Sequence, residues 1–199
     1  MHYSLFLLPF IAISHAAPLV PRQDSQNLAP QLIEQIRSLG AATKQLTTAV
    51  NNYDGSLFGV LPQGIAVISA EKKVDSLTLE ATETAQESSK FVASDSTEVV
   101  QTLATQIGPT QDSLNALKKK VCIAVCDGEP ALNNMMQYPQ FKRTLTAPIV
   151  LKDLKTLKEH TGGLVAAVKE KVTAQDAGLL DFGKGILDKA FDEAIAVYS

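Results

Sequence analysis

The residues that could do chemistry here are few: three histidines, two cysteines and a scatter of carboxylates. His2 and His15 lie in an amino-terminal segment that reads as removable, which leaves His160 as the one histidine of the mature chain. A multi-histidine metal site is then impossible, and a Ser-His-Asp triad would have to use His160. That residue sits in Lys158-Glu159-His160-Thr161, on the polar side of a helical pattern, and is expected at a solvated surface. Cys122 and Cys126 have no further Cys and no nearby His to complete a metal set, and their spacing is not that of a CxxC redox pair. In an oxidising compartment a disulfide is the usual expectation. At i, i+4 in an intact helix, however, Cβ atoms stand about 5–6 Å apart, too far to bond without local unwinding. A strained or loop disulfide and two free thiols both stay open. Acid pairs such as Asp188 and Asp192 fall at i, i+4 on a charged helix face, the ordinary arrangement of a solvated surface. No catalytic residue, no metal ligand and no cofactor is expected.

The elements that position these side chains are read from apolar spacing. Leu28, Leu32, Ile36, Leu39, Leu46 and Val50 recur at helical intervals between about 27 and 52, and Asn51-Asn52-Tyr53-Asp54-Gly55 stops that helix. A second helix starts around Leu57–Pro62 and continues through Ile65, Ile68, Val74, Leu77 and Ala81 to about Ser89. A third opens on Asp95-Ser96-Thr97-Glu98, a capping-box pattern. It carries Val99, Leu103, Ile107, Leu114 and Leu117, with Gly108-Pro109 expected to kink or split it. A fourth covers about 147–172 with Leu151, Leu154, Leu157, Leu164, Val165, Val168 and Val172, its stripe interrupted by Gly162-Gly163. The fifth covers about 174–198. Leu179, Phe182, Ile186, Leu187, Phe191 and Ile195 lie on one face, with Asp176, Asp181, Lys184, Asp188 and Asp192 on the other. The expected fold is all-α, an antiparallel bundle of about five amphipathic helices.

Composition agrees. A formal charge of −3 with 20% charged residues gives nucleic acid nothing to attract it. Trp is absent and aromatics are 6%, so the apolar content is aliphatic and Ala-rich, suited to closely packed helices. Leu5 to Ile13 form a short apolar core broken only by Pro9, followed by the small residues Ser14, Ala16 and Ala17. Residues 1–17 read as a secretory signal, too short to span a bilayer. Residues 18–26 read as linker, or as a short propeptide ending at Arg22, and 27–199 as the folded domain. No later segment is apolar and long enough to cross a membrane, and no Asn-x-Ser/Thr acceptor occurs. A secreted chain, extracellular or held in a wall, is expected.

The chain resembles the fungal hydrophobic surface-binding protein A family, also called cell wall galactomannoproteins. The resemblance is carried by Gln31-Leu32-Ile33-Glu34-Gln35-Ile36, the Asn51–Gly55 turn, Pro148-Ile149-Val150-Leu151-Lys152-Asp153-Leu154, and Phe191-Asp192-Glu193-Ala194-Ile195-Ala196-Val197-Tyr198. Ala116–Lys120 and Pro139–Lys142 look like one family segment pulled apart by an insertion at 121–137 that holds both cysteines. Removing it restores the family spacing, and Val-Cys and Gln at its edges are codable as intron borders. A genuine loop and a retained intron both stay open; transcript sequencing distinguishes them.

The resemblance implies a wall-associated or secreted bundle that adsorbs to hydrophobic surfaces, with contact to cell-wall polysaccharide, or holds fatty acids in an apolar tunnel between helices. An acyl chain filling such a gap gains about 0.8 kcal/mol per buried methylene. The candidate lining residues are Leu61, Ile65, Ile68, Leu103, Ile107, Leu154, Leu157, Val165, Phe182 and Ile186. For each, plain core packing is the competing reading. The alternative function is a wall protein that coats hydrophobic surfaces and recruits hydrolases without a specific small ligand.

Overall fold

The computed structural model describes residues 26–53, 60–126 and 147–199. Among the described residues there are six helices: α1 (Ala29–Asn52), α2 (Val60–Glu87), α3 (Ala93–Ala104), α4 (Ile107–Cys126), α5 (Ala147–Lys169) and α6 (Ala174–Tyr198). Among the described residues there is no strand.

The expected third helix is α3 and α4, split at Thr105-Gln106. Pro109 explains the position of the break. It has no N–H to give the Thr105 carbonyl, and its ring would collide with that carbonyl if the helix continued. The chain tightens there instead, with the Gln106 N–H donating to the Leu103 carbonyl at 2.9 Å. The Gly162-Gly163 pair, in contrast, leaves α5 unbroken.

Packing order follows from cross-helix pairs. Gln35–Glu80 and Lys73–Gln45 run α2 antiparallel to α1. Asn27–Asp95, Arg37–Glu98 and Lys120–Asn51 run α3 and α4 parallel to α1. His160–Asp75 and Lys171–Gln86 run α5 parallel to α2, while Lys169–Asp181 and Lys158–Asp192 run α6 antiparallel to α5. The helices close a ring in the order α1, α2, α5, α6, α4, with α3 lying against α1 and α6. Consecutive long helices alternate in direction, as an antiparallel bundle requires. An odd number of helices in a ring forces some parallel neighbours, and these are α2/α5, α4/α6 and α1/α4.

The core combines Leu32, Ile36 and Val50 of α1 with Val99 of α3, Leu154 and Val168 of α5 and Phe191 of α6, all at most 3% exposed. The first expected stripe is correct from Leu32 to Val50. On α2 the expected stripe is correct at Val74 and Ala81 and not at Ile65 and Ile68. Val74, Thr78, Ala81 and Ala85 point inward, while Ile65 and Ile68 are 62% and 43% exposed. Small side chains face α1 and α5 because they let the helices approach closely; the larger isoleucines sit about a third of a turn or more away.

One end of the bundle is fastened by hydrogen bonds. The Leu28 N–H donates to Ser88 Oγ (3.0 Å), the Phe91 N–H to the Lys171 carbonyl (2.8 Å), and Lys171 Nζ to the carbonyls of Gln86 and Ser88. The expected capping box at Asp95–Glu98 is not formed. Helix α3 begins two residues earlier, at Ala93, so Ser96 is inside the helix and completely buried. Its hydroxyl donates to Asp176 and accepts the Thr173 N–H at 2.9 Å. The cap belongs to α6: Thr173 Oγ1 accepts the Asp176 N–H at 3.3 Å and donates to Asp176 Oδ2 at 2.9 Å. Asp176, expected on the solvent face, is therefore 7% exposed. At the opposite end, where α1 stops and α2 and α5 start, Lys120 Nζ donates to the Asn51 carbonyl, Tyr198 Oη to the Leu117 carbonyl and Lys118 Nζ to Glu193.

Candidate functional site

The structure divides the expected lining residues into three groups. Leu154, Leu157 and Val165 are inside the core, 1%, 7% and 7% exposed. Leu103, Ile107 and Ile186 are half-buried, and Ile107 packs across Gly183, where an added Cβ would stand 3.2 Å from its Cδ1. Ile65, Ile68 and Phe182 are on the outside, Phe182 at 72% exposure. This corrects their placement between helices: the faces they occupy point away from the ring. The Leu61 side chain lies outside the described residues. So do the side chains of Cys122 and Cys126, although α4 runs through both positions, and most of the 121–137 segment.

The interior is mainly aliphatic and is built from all six described helices. Two clefts open on the surface of α1. One, of about 210 Å³, lies between α1 and α3 against Ala29, Pro30, Ile33, Glu34, Arg37, Asp95 and Glu98. The other, of about 390 Å³, lies between α1 and α2 at the opposite end, against Lys44, Gln45, Thr48, Ala49, Asn52 and Ala66. Neither is lined by any of the expected residues whose side chains are described.

Charged side chains line the seam between α2 and α5. Asp75 and His160 meet there, Oδ1 to Nδ1 at 2.5 Å, each about a quarter exposed. His160 is thus a half-buried partner of α2, correcting its expected place at a solvated surface. Glu71 and Asp153 interact one to two turns nearer the start of both helices. Burial first, and then the charges of Asp153 and Asp75, raise the Glu71 carboxyl to about 7, with Lys72 opposing. Burial also raises Asp153, against the pull of Lys152. Among the described residues no three His, Cys, Asp or Glu side chains converge to hold a metal ion.

Like charges across a seam favour its separation when both are ionised. The folded-state value of Glu71 lies above its ordinary 4.5, so between those two values the folded chain holds the extra proton. The stability from this group is complete below the ordinary value and is lost as pH rises through about 7. Allowing for its partial exposure, thermal unfolding should show a loss of about 1 kcal/mol between pH 5 and 8. Glu71→Gln should flatten that slope; an unchanged slope would remove Glu71 from the account.

Sequence reasoning missed the seam because its residues are ordinary charged positions on two separate helices. Only their register brings them together. Tyr198, also not singled out, caps the other side of the same end: its hydroxyl donates to the Leu117 carbonyl at 3.1 Å, and burial pushes it up to about 12.

Residues 29–123 match the family model described as hydrophobic surface binding protein A. Among solved structures, AFMP4P in complex with palmitic acid is 27% identical, with a TM-score of 0.72 over 86% of this chain and 99% of that one. Ligand binding domain 1 of the Penicillium marneffei MP1 protein, complexed with arachidonic acids, is 14% identical. Its TM-score is 0.66 over 83% of this chain and 95% of that one. Domain 2 of the same protein, with multiple arachidonic acids, is 15% identical with a TM-score of 0.61, over 86% and 94%. The two MP1 domains share the fold. A comparison with curated proteins gives no significant match.

Proposed function

We propose that this chain, of the hydrophobic surface binding protein A family over residues 29–123, is a non-catalytic carrier that encloses a fatty acyl chain in the aliphatic interior of its helical ring. The observation that carries this reading is the likeness, at 27% identity and nearly full coverage, to a protein holding palmitic acid. It is supported by an apolar interior that includes Leu154, Leu157 and Val165, while one end of the bundle is fastened by hydrogen bonds. Parting α2 from α5 at the other end would admit the chain without breaking the Ser96–Asp176 lock.

The energetics are adequate. A saturated chain of about fourteen methylenes gains roughly 11 kcal/mol on full burial, before the cost of separating helices and ordering the ligand. The gain is graded by length, so removing two methylenes should weaken binding roughly 15-fold. A thermal-shift series on delipidated protein should show the unfolding temperature rising with chain length from decanoic to palmitic acid. Shifts independent of length would contradict an enclosed chain.

A second reading has its own observation. Leu179 and Phe182 are 60% and 72% exposed on α6, an apolar face that suits adsorption to a hydrophobic surface. Particle adsorption without uptake of fatty acid favours this coating role. In either role we place the protein outside the cell, exported through residues 1–17 and retained at a wall, in contact with its polysaccharide. Amino-terminal sequencing of the secreted product should begin at Ala17 or Pro18, and an intact Met1 would contradict export.

A further inference from the structure

The outer face of the α2/α5 seam combines two kinds of residue seldom left together without a reason. On α2, Ile65, Ile68 and Lys72 share one face at i, i+3, i+7. On α5, Ile149, Lys152 and Lys155 occupy the adjoining outer surface of the first turns. The parallel register set by His160–Asp75 puts Ile149 level with Ile65. The three isoleucines are 62%, 43% and 52% exposed, and all three lysines are exposed. Lys155 makes no ion pair with a described residue. Lys72 and Lys152 act on Glu71 and Asp153 only through space.

Charge is also segregated along the bundle. On α2, Lys72 and Lys73 are exposed in the half toward the helix start, and Glu80, Glu83 and Glu87 are exposed toward the fastened end. The 390 Å³ cleft beside Lys44 opens at the same cationic end.

We propose that this face docks the protein on an anionic phospholipid bilayer, a proposal that rests on the acyl-carrier reading above. Isoleucine side chains entering the acyl boundary with lysine ammoniums at headgroup level is the arrangement of an interfacial protein surface. A dry apolar partner would strip water from three lysines without compensation, whereas anionic headgroups pair with them. The acidic far end is held away from the surface. Docked in this way, the seam that must open lies against the source of the acyl chain.

The test is co-sedimentation of the full mature chain with vesicles of phosphatidylcholine alone, or with about 30 mol% phosphatidylserine. The proposal expects at least about tenfold stronger binding to the mixed vesicles. That advantage should be lost between about 0.05 M and about 0.5 M salt. Lys152→Glu/Lys155→Glu should abolish the preference, Ile149→Ser should weaken binding without changing its salt dependence, and Lys90→Glu, at the fastened end, should change nothing. Palmitic acid uptake by native mass spectrometry is measured on the same proteins, and the charge-reversed variant should retain it. Equal binding to both vesicles, or an unaffected Lys152→Glu/Lys155→Glu, overturns docking and leaves the carrier reading standing. A wild-type chain that takes up no palmitic acid removes the carrier reading and this proposal with it.

Discussion

Asp176→Ala should lower stability by about 3 kcal/mol and the unfolding temperature by about 6–12 °C. Two hydroxyls depend on that carboxylate. It accepts from Ser96 Oγ, which is completely buried, and from Thr173 Oγ1, and its own N–H is capped by the same threonine. Alanine leaves the Ser96 hydroxyl without an acceptor in a place water does not reach, and a buried donor so stranded costs about 1–3 kcal/mol by itself. It also removes an acid from the first turn of α6, where it complements the helix dipole. Asp176→Asn keeps an acceptor oxygen and should cost about 1 kcal/mol. Equal losses for Ala and Asn, measured by thermal or denaturant unfolding, would contradict this assignment.

Leu154→Ala should cost about 2–4 kcal/mol, because Leu154 is 1% exposed in the centre of α5 and its neighbours cannot collapse fully into the space it leaves. The carrier reading adds a second expectation. An apolar void beside the acyl path gives ligand more surface to cover, so palmitic acid should raise the unfolding temperature of Leu154→Ala by more than it raises that of the wild type. Leu179→Ala, at a site 60% exposed, should change stability by less than about 0.5 kcal/mol. A ligand shift that is the same in Leu154→Ala and wild type would place the acyl chain away from α5.

Legibility of the fold in the sequence tracked how one-sided each helix is. Leu32, Ile36, Leu39, Leu46 and Val50 define a single stripe, as do Leu154, Leu157, Leu164, Val165 and Val168, and all ten are buried. On α2 and α6 apolar side chains occur on more than one face, and size does not select the ones that pack: on α6 Phe191 is buried while Phe182 is not. Ile65, Ile68 and Phe182 were expected inside because they are bulky. Close helix approach instead selected Ala81, Ala85, Ala194 and the small polar Thr78, Thr84 and Ser96. The sequence reads Ser96 as part of a cap and Asp176 as solvent-facing for the same reason: polar residues are read as exposed unless their partner is known, and these two partners lie eighty positions apart. The α2/α5 charge seam has no local signature at all. Fatty-acid binding was expected from family resemblance, and the apolar interior is compatible with it without identifying the ligand.

The central claim is that an acyl chain enters the ring. Native mass spectrometry of the purified, delipidated chain titrated with palmitic acid tests it most directly. The account predicts an adduct of one or more fatty acids that saturates and survives transfer, together with a rise in unfolding temperature. Adsorption to hydrophobic particles with no saturable palmitic acid adduct at any concentration would contradict it and leave the surface-coating role.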